Sequence, residues 1–150
     1  MKNKLFILLL VVSGIWGFSS LSVEDKCVNV YVDFGSLNND KKIIECIDTE
    51  KEMLALDLFN KSGLQLEGTN KYGLQVVCRV NNLPDRKQES CDVMPPENAY
   101  WAFIVKEKRS AVNMFPKWGW AQRGVSEVYF KPGDSLGLVF SENGDLSWPD

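Results

Sequence analysis

Apolar and polar positions first alternate regularly from Val28. Val28, Val30, Val32 and Phe34 alternate with Asn29, Tyr31 and Asp33, the period of a strand with one buried face. Residues 35–40 are turn-rich, and residues 42–47 read as the returning strand. The spacing then changes. Thr49 and Glu52 fit a capping box with Thr49 as N-cap, and Met53, Leu54, Leu58 and Phe59 follow at helical intervals. Gly63 is placed to end that helix as a left-handed cap. Residues 68–73, rich in Gly, Asn and Lys, read as a loop. Leu74, Val76, Cys78 and Val80 alternate again, so Arg79 on the polar side is expected to face solvent. Residues 84–98 are polar and interrupted by Pro84, Pro95 and Pro96, an irregular loop. Residues 100–106 form a fourth strand with Trp101, Phe103 and Val105 on one face. A long connection holds Met114, Phe115, Trp118 and Trp120, and apolar runs at 128–130 and 136–140 flank a turn at 131–134. The order strand, strand, helix, then three or so strands predicts an α+β fold. A mixed sheet of four to five strands carries one helix packed across it, the β-grasp or ubiquitin-like arrangement.

The first residues follow a different pattern. Lys2 and Lys4 precede an unbroken apolar run over residues 5–12. Small residues follow to Ser22, with Gly17-Phe-Ser19 and Ser20-Leu-Ser22 as candidate cleavage boxes. This is the layout of an export signal, and the run is too short for a comfortable membrane span. A signal anchor is the alternative. Residues 1–22 are read as a signal peptide and 23–150 as a single domain, which makes the mature protein secreted with no membrane span.

Removing the signal takes Lys+Arg from 17 to 15 against 20 acids, so the formal charge moves from −3 to −5. That sign disfavours nucleic acid, whose binding rests on cations neutralising phosphates. The chain contains no histidine, which removes Ser-His, Cys-His and His-metal chemistry. Cys27, Cys46, Cys78 and Cys91 include no short C-x-x-C pair, so disulfides are expected in place of zinc. Three connectivities are open. Each of the pairs Cys27–Cys46 and Cys78–Cys91 flanks a turn, and this connectivity is favoured. No metal site and no catalytic residue is expected. Asp33, Asp40, Glu127 and Asp134 sit at strand ends or turns, where acids are ordinary, and Asp134 reads as a turn former bonding nearby amides.

Specific residues carry a family resemblance. They are the helix from Met53, Tyr72-Gly73, Cys78-Arg-Val80, Pro84, Cys91, Pro95-Pro96, Ala99-Tyr-Trp101, Gly124-Val-Ser126 and Pro132-Gly-Asp134. As an ordered set over about residues 27 to 141, this resembles the C-terminal β-grasp domain of transcobalamin and intrinsic factor. It looks nearest to small secreted bacterial proteins of actinobacterial type. The resemblance implies a non-catalytic module that binds a ligand, with cobalamin or a similar planar metabolite as the expected one, linked to its uptake. The family's helical domain and metal-ligating histidine have no counterpart here, so full cobalamin capture is not implied. A cell-surface or adhesion module, with a transporter or surface protein as partner, is the alternative.

The candidate ligand-binding residues are Tyr100, Trp101, Trp118, Trp120, Gln122, Gly124 and Val125. Trp118-Gly-Trp120 lies in a connection, and two indoles there present flat apolar area with a donor each. They either bind a ligand or fold back to cap the sheet. Gln122, Gly124 and Val125 enter through the resemblance, as the segment whose backbone approaches the ligand. Trp101 alternates with core positions and reads first as packing, while Tyr100 is on the opposite face.

Overall fold

β1 (Cys27–Asp33) takes the form its alternation predicts, with Val28, Val30, Val32 and the following Phe34 all but fully buried. The computed structural model describes residues 26–108, 112 and 114–150, so the export signal read over residues 1–22 lies outside them. A 3-10 turn (Gly35–Asn38) leads into β2 (Lys42–Asp48), paired antiparallel with β1 from Cys27↔Asp48 to Asp33↔Lys42. β2 is an edge strand. It turns Ile43 and Ile47 towards the core and leaves Lys42, Glu45 and Asp48 exposed, charges that discourage edge-to-edge pairing.

After β2 the expected capping box does not form. Thr49 Oγ1 donates to the Lys51 carbonyl at 2.6 Å and accepts from the Lys51 N–H at 3.3 Å, closing a local turn. Met53–Leu54 is instead a short strand, β3, paired with β8 (Tyr129–Phe130), and α1 covers Ala55–Lys61. Leu54 at the N-cap makes no side-chain bond. The first helical amides find acceptors across the chain, Ala55 N–H at the Val128 carbonyl and Leu56 N–H at the Val125 carbonyl. Tertiary pairing has replaced the local cap. The other end behaves as expected: Gly63 has φ +73 just past the helix.

A second difference follows. β4 (Leu66–Thr69) and β5 (Gly73–Val80) form a hairpin where residues 68–73 read as loop. The turn signals were real, but the strands close tightly on them. Thr69 Oγ1 accepts the Tyr72 N–H at 3.0 Å, and pairing reaches Thr69↔Gly73. Arg79 on β5 is the third difference, being 2% exposed where solvent was expected. The loop closed by Cys91 folds over it. Its guanidinium donates to the Pro84 carbonyl at 3.0 Å, to the Glu67 carboxylate at 2.7 Å and to the Glu89 carbonyl.

β6 (Ala99–Lys106), β7 (Gly119–Trp120) and β9 (Ser135–Glu142) complete a five-stranded mixed sheet of order β2-β1-β9-β6-β7. β1 and β9 run parallel in its interior, and the other neighbours are antiparallel. α1 buries Ala55, Leu58 and Phe59 on one face, in a core shared with Val30, Trp101 and Leu138. On the other face Tyr31, Ala102, Ile104 and Val139 form a smaller cluster under Trp118 and Leu146. Both disulfides form as favoured, with Cα–Cα distances of 5.5 Å for Cys27–Cys46 and 5.7 Å for Cys78–Cys91, and no cysteine is left free. Such bonds belong to an oxidising, extracytoplasmic environment. Among the described residues no helix is long and apolar enough to cross a membrane.

Candidate functional site

β6 has two unlike faces and an edge that is only half covered. Trp101, Phe103 and Val105 face the core of α1, and the Trp101 Nε1–H donates to the Leu83 carbonyl at 3.0 Å. Tyr100, Ala102 and Ile104 face the smaller cluster. β7 pairs only with the end of β6, Ile104↔Trp120 and Val105↔Gly119. After Ala121, whose N–H donates to the Phe103 carbonyl at 3.0 Å, the chain leaves the sheet. It passes against β5 at Gly124 and enters the core at Val125. A cleft of about 730 Å³ lies between this segment, the first half of β6, residues 75–77 of β5 and residues 94–97.

Tyr100, Trp101, Trp120, Gln122, Gly124 and Val125, all expected from sequence, border that cleft. Trp120 is 47% exposed; its ring stacks on Tyr100 at 6.3 Å and 27° and meets Trp148 edge-on at 5.9 Å. This is an exposed apolar surface with indole donors, able to take a flat ligand. Gln122 Nε2 donates to the Trp120 carbonyl at 3.3 Å. Val125 is fully buried and closes the floor. Gly124 is required by its close approach: a Cβ there would stand 2.3 Å from the Gln75 Cα. Trp101 is 5% exposed, chiefly a core residue whose strand borders the cleft.

Trp118 does not border the cleft. Its ring lies 6.2 Å from that of Tyr31, with Lys106 Nζ 5.7 Å above it, and its buried Nε1 has no acceptor among the described residues. Trp118 packs over the second face beside Tyr31, and Trp120 borders the cleft. Met114 and Phe115 are exposed and also lie outside the cleft lining.

Sequence reading did not single out Gln75, Met94, Glu97 or Arg123 for this site, and read Glu127 as an ordinary strand-end acid. Met94, apolar beside two prolines in a polar loop and 59% exposed, was the one local signal. Gln75 and Glu127 are 52 residues apart in sequence and meet only through folding, Gln75 Nε2 donating to the Glu127 carboxylate at 2.7 Å.

The shifted ionisations lie elsewhere. Asp33 accepts bonds from Tyr31 Oη at 3.2 Å and from the Gly35 N–H at 2.9 Å, and pairs with Lys42 Nζ at 3.1 Å. Burial first, and then the Asp33 charge, push the Tyr31 phenol above its ordinary value. The hydrogen bond to Asp33, then that to Tyr31, hold the Lys42 ammonium above its own. Asp134 forms its turn as expected, accepting the Lys131 N–H at 2.9 Å and the Lys108 N–H at 2.7 Å. The one grouping of metal-type ligands among the described residues is Cys78, Glu89 and Cys91, and its sulfurs are spent on each other in a disulfide. What the cleft offers is stacking surface, backbone polar groups and a few charges. Comparison of the chain with protein-family models, curated sequences and solved structures gives no match.

Proposed function

We propose that this protein is an exported, non-catalytic binding module of β-grasp type, holding a flat ligand in the cleft beside β6. The observation that carries the reading is the stacked Tyr100–Trp120 pair beside a cleft of about 730 Å³, in the size range of small-molecule sites. Export is supported by the basic, apolar and small-residue layout of residues 1–22 and by the two disulfides. The β-grasp type is supported by the strand order, with first and last strands parallel in the sheet interior, a hairpin partner outside β1 and a helix across one face.

The likeness to the transcobalamin C-terminal domain bears on the ligand. It implies a corrinoid or similar planar metabolite and a link to its uptake. Stacking on Trp120 and Tyr100 would hold such a ligand by one face, with backbone groups bonding its periphery and no metal coordination by the protein. Titration with cobalamin, followed by tryptophan fluorescence, tests this. Saturable quenching in the tens of micromolar range that is lost in Trp120→Ala is expected. Absence of quenching, or quenching unchanged by the substitution, would remove the corrinoid reading. A partner-protein or cell-surface contact is the second reading, favoured by the uncovered edge of β6.

A further inference from the structure

Two hydrogen bonds fix which way the backbone of β6 points. The Asn143 N–H donates to the Asn98 carbonyl at 2.8 Å, and Asn98 precedes the register Ala99↔Glu142. Even-numbered positions of this strand therefore direct their N–H and C=O groups towards β9, since backbone polar groups alternate sides. The Ala121 N–H donates to the Phe103 carbonyl from the opposite side, so odd-numbered positions direct theirs outwards. At Ala99 the outward N–H is used by a turn to the Pro96 carbonyl at 3.1 Å. The outward Ala99 carbonyl, the N–H and C=O of Trp101 and the Phe103 N–H find no backbone partner among the described residues. Trp101 and Phe103 border the cleft. A row of unpaired strand-edge groups along an open cleft is a ready template for an added strand.

We infer that the cleft receives a short extended peptide segment of a partner protein. It adds to the edge of β6, antiparallel to it and in line with β7. This rests on the cleft being the binding site, and it specifies the partner-protein reading of that site. The line of β7 is vacant beyond Ala121 because the chain turns away there to cross β5. A residue placed opposite Trp101 makes two backbone bonds with it, and the next but one reaches the Ala99 carbonyl. The vacant stretch along residues 99–103 is about 13 Å long at strand rise, room for some four residues. Side-chain preferences follow from the pleat. The residue opposite Trp101 projects to the Trp101 face, beside Val77 and Val125, and is apolar; its neighbours project towards Tyr100 and Trp120. The charged residues bordering the cleft are Glu97, Glu127 and Arg123, two acids to one base, on a chain of formal net charge −3. An apolar segment flanked by Lys or Arg is the complementary partner.

Amide hydrogen exchange of the disulfide-intact protein tests this by NMR, with the capped peptide Lys-Val-Thr-Val-Lys as probe and its copy N-methylated on both valines as control. In the free protein the Ala102 and Ile104 amides, bonded to β9, exchange slowly while those of Trp101 and Phe103 exchange faster. Saturating peptide slows Trp101 exchange, and the N-methylated copy binds about tenfold more weakly or worse. Equal protection along β6 in the free protein, equal binding of the two peptides, or binding with no change at Trp101 would each overturn the inference. Cobalamin quenching lost in Trp120→Ala, with no effect of the peptide, would overturn it while leaving the cleft as the binding site. Failure of both ligands would remove both readings.

Discussion

Arg79 is where the period-two reading of a single residue fails, and the reason is physical. Alternation on β5 assigns Arg79 the face opposite Cys78 correctly, but alternation cannot tell water from a loop folded over that face. Residues 84–91 supply two carbonyls to the guanidinium, and Glu67 supplies a carboxylate from β4. Arg79→Ala leaves those carbonyls without their donor and opens a cavity. A loss of about 2–4 kcal/mol in urea unfolding is expected; a loss below about 0.5 kcal/mol would mean the loop does not depend on it. Asp33 is a second residue whose burial its strand-end position did not reveal. Both Tyr31 and Lys42, its partners, have raised pKa values, so each favours the folded state in its protonated form. For such groups stability is complete below their unfolded values, near 10, and falls as pH rises through the folded ones. The melting temperature should therefore decline above about pH 10, and Asp33→Asn, which removes the largest cause of the Lys42 shift, should make that decline shallower. An equally steep decline in the variant would deny the triad that role.

At the scale of elements, legibility tracked how local the cause was. β1 and β6 carry their own alternation, with Trp101 and Phe103 on the expected face, while β2 shows as the strand returning from a turn and β9 as an apolar run buried on both faces. All four bounds match the sequence to within two residues. The start of α1 was misread because its amides are satisfied by Val125 and Val128, far away in sequence, and Met53–Leu54 is claimed by β8. The site shows the same division. Tyr100 and Trp120 stand out because their types announce a surface role, and Gln122 through the family resemblance, whereas Gln75 and Glu127 become neighbours only when β5 meets the segment after Ala121. Trp118 and Trp120 look equivalent in sequence and, two residues apart across β7, they share one side of the sheet, but Trp118 packs over Tyr31 while Trp120 lies further along, against Tyr100 at the cleft. Their substitutions should differ in kind. Trp118→Ala uncovers Tyr31 and Ala102 and should cost about 2–3 kcal/mol of stability. Trp120→Ala should cost under about 1 kcal/mol while abolishing ligand response. Thermal melts and titrations of both variants check this, and reversed effects would exchange the roles of the two indoles.

For the whole molecule, two disulfides supplement a core that a chain of this size can build but not lavishly. Cys78–Cys91 closes 13 residues of sequence and holds the loop over Arg79, next to residues 94–97 of the cleft wall. Replacing both cysteines by Ala should cost about 3 kcal/mol in the chain-entropy picture. It should also weaken ligand binding, which Cys27–Cys46, tying the far edge of the sheet, should not do when removed. Calorimetry on the two double variants separates these effects; equal losses of affinity would disconnect the loop from the cleft. The central claim is that one cleft, beside Tyr100 and Trp120, is where this protein meets its ligand. The most direct measurement is an NMR titration of the ¹⁵N-labelled protein with cobalamin. Shifts concentrated at Tyr100, Trp120, Gln122 and Gly124, with Trp118 and Ile44 unmoved, are predicted. A spectrum unchanged by cobalamin and equally unchanged by the Lys-Val-Thr-Val-Lys peptide, or shifts centred on the Tyr31–Trp118 face, would contradict it.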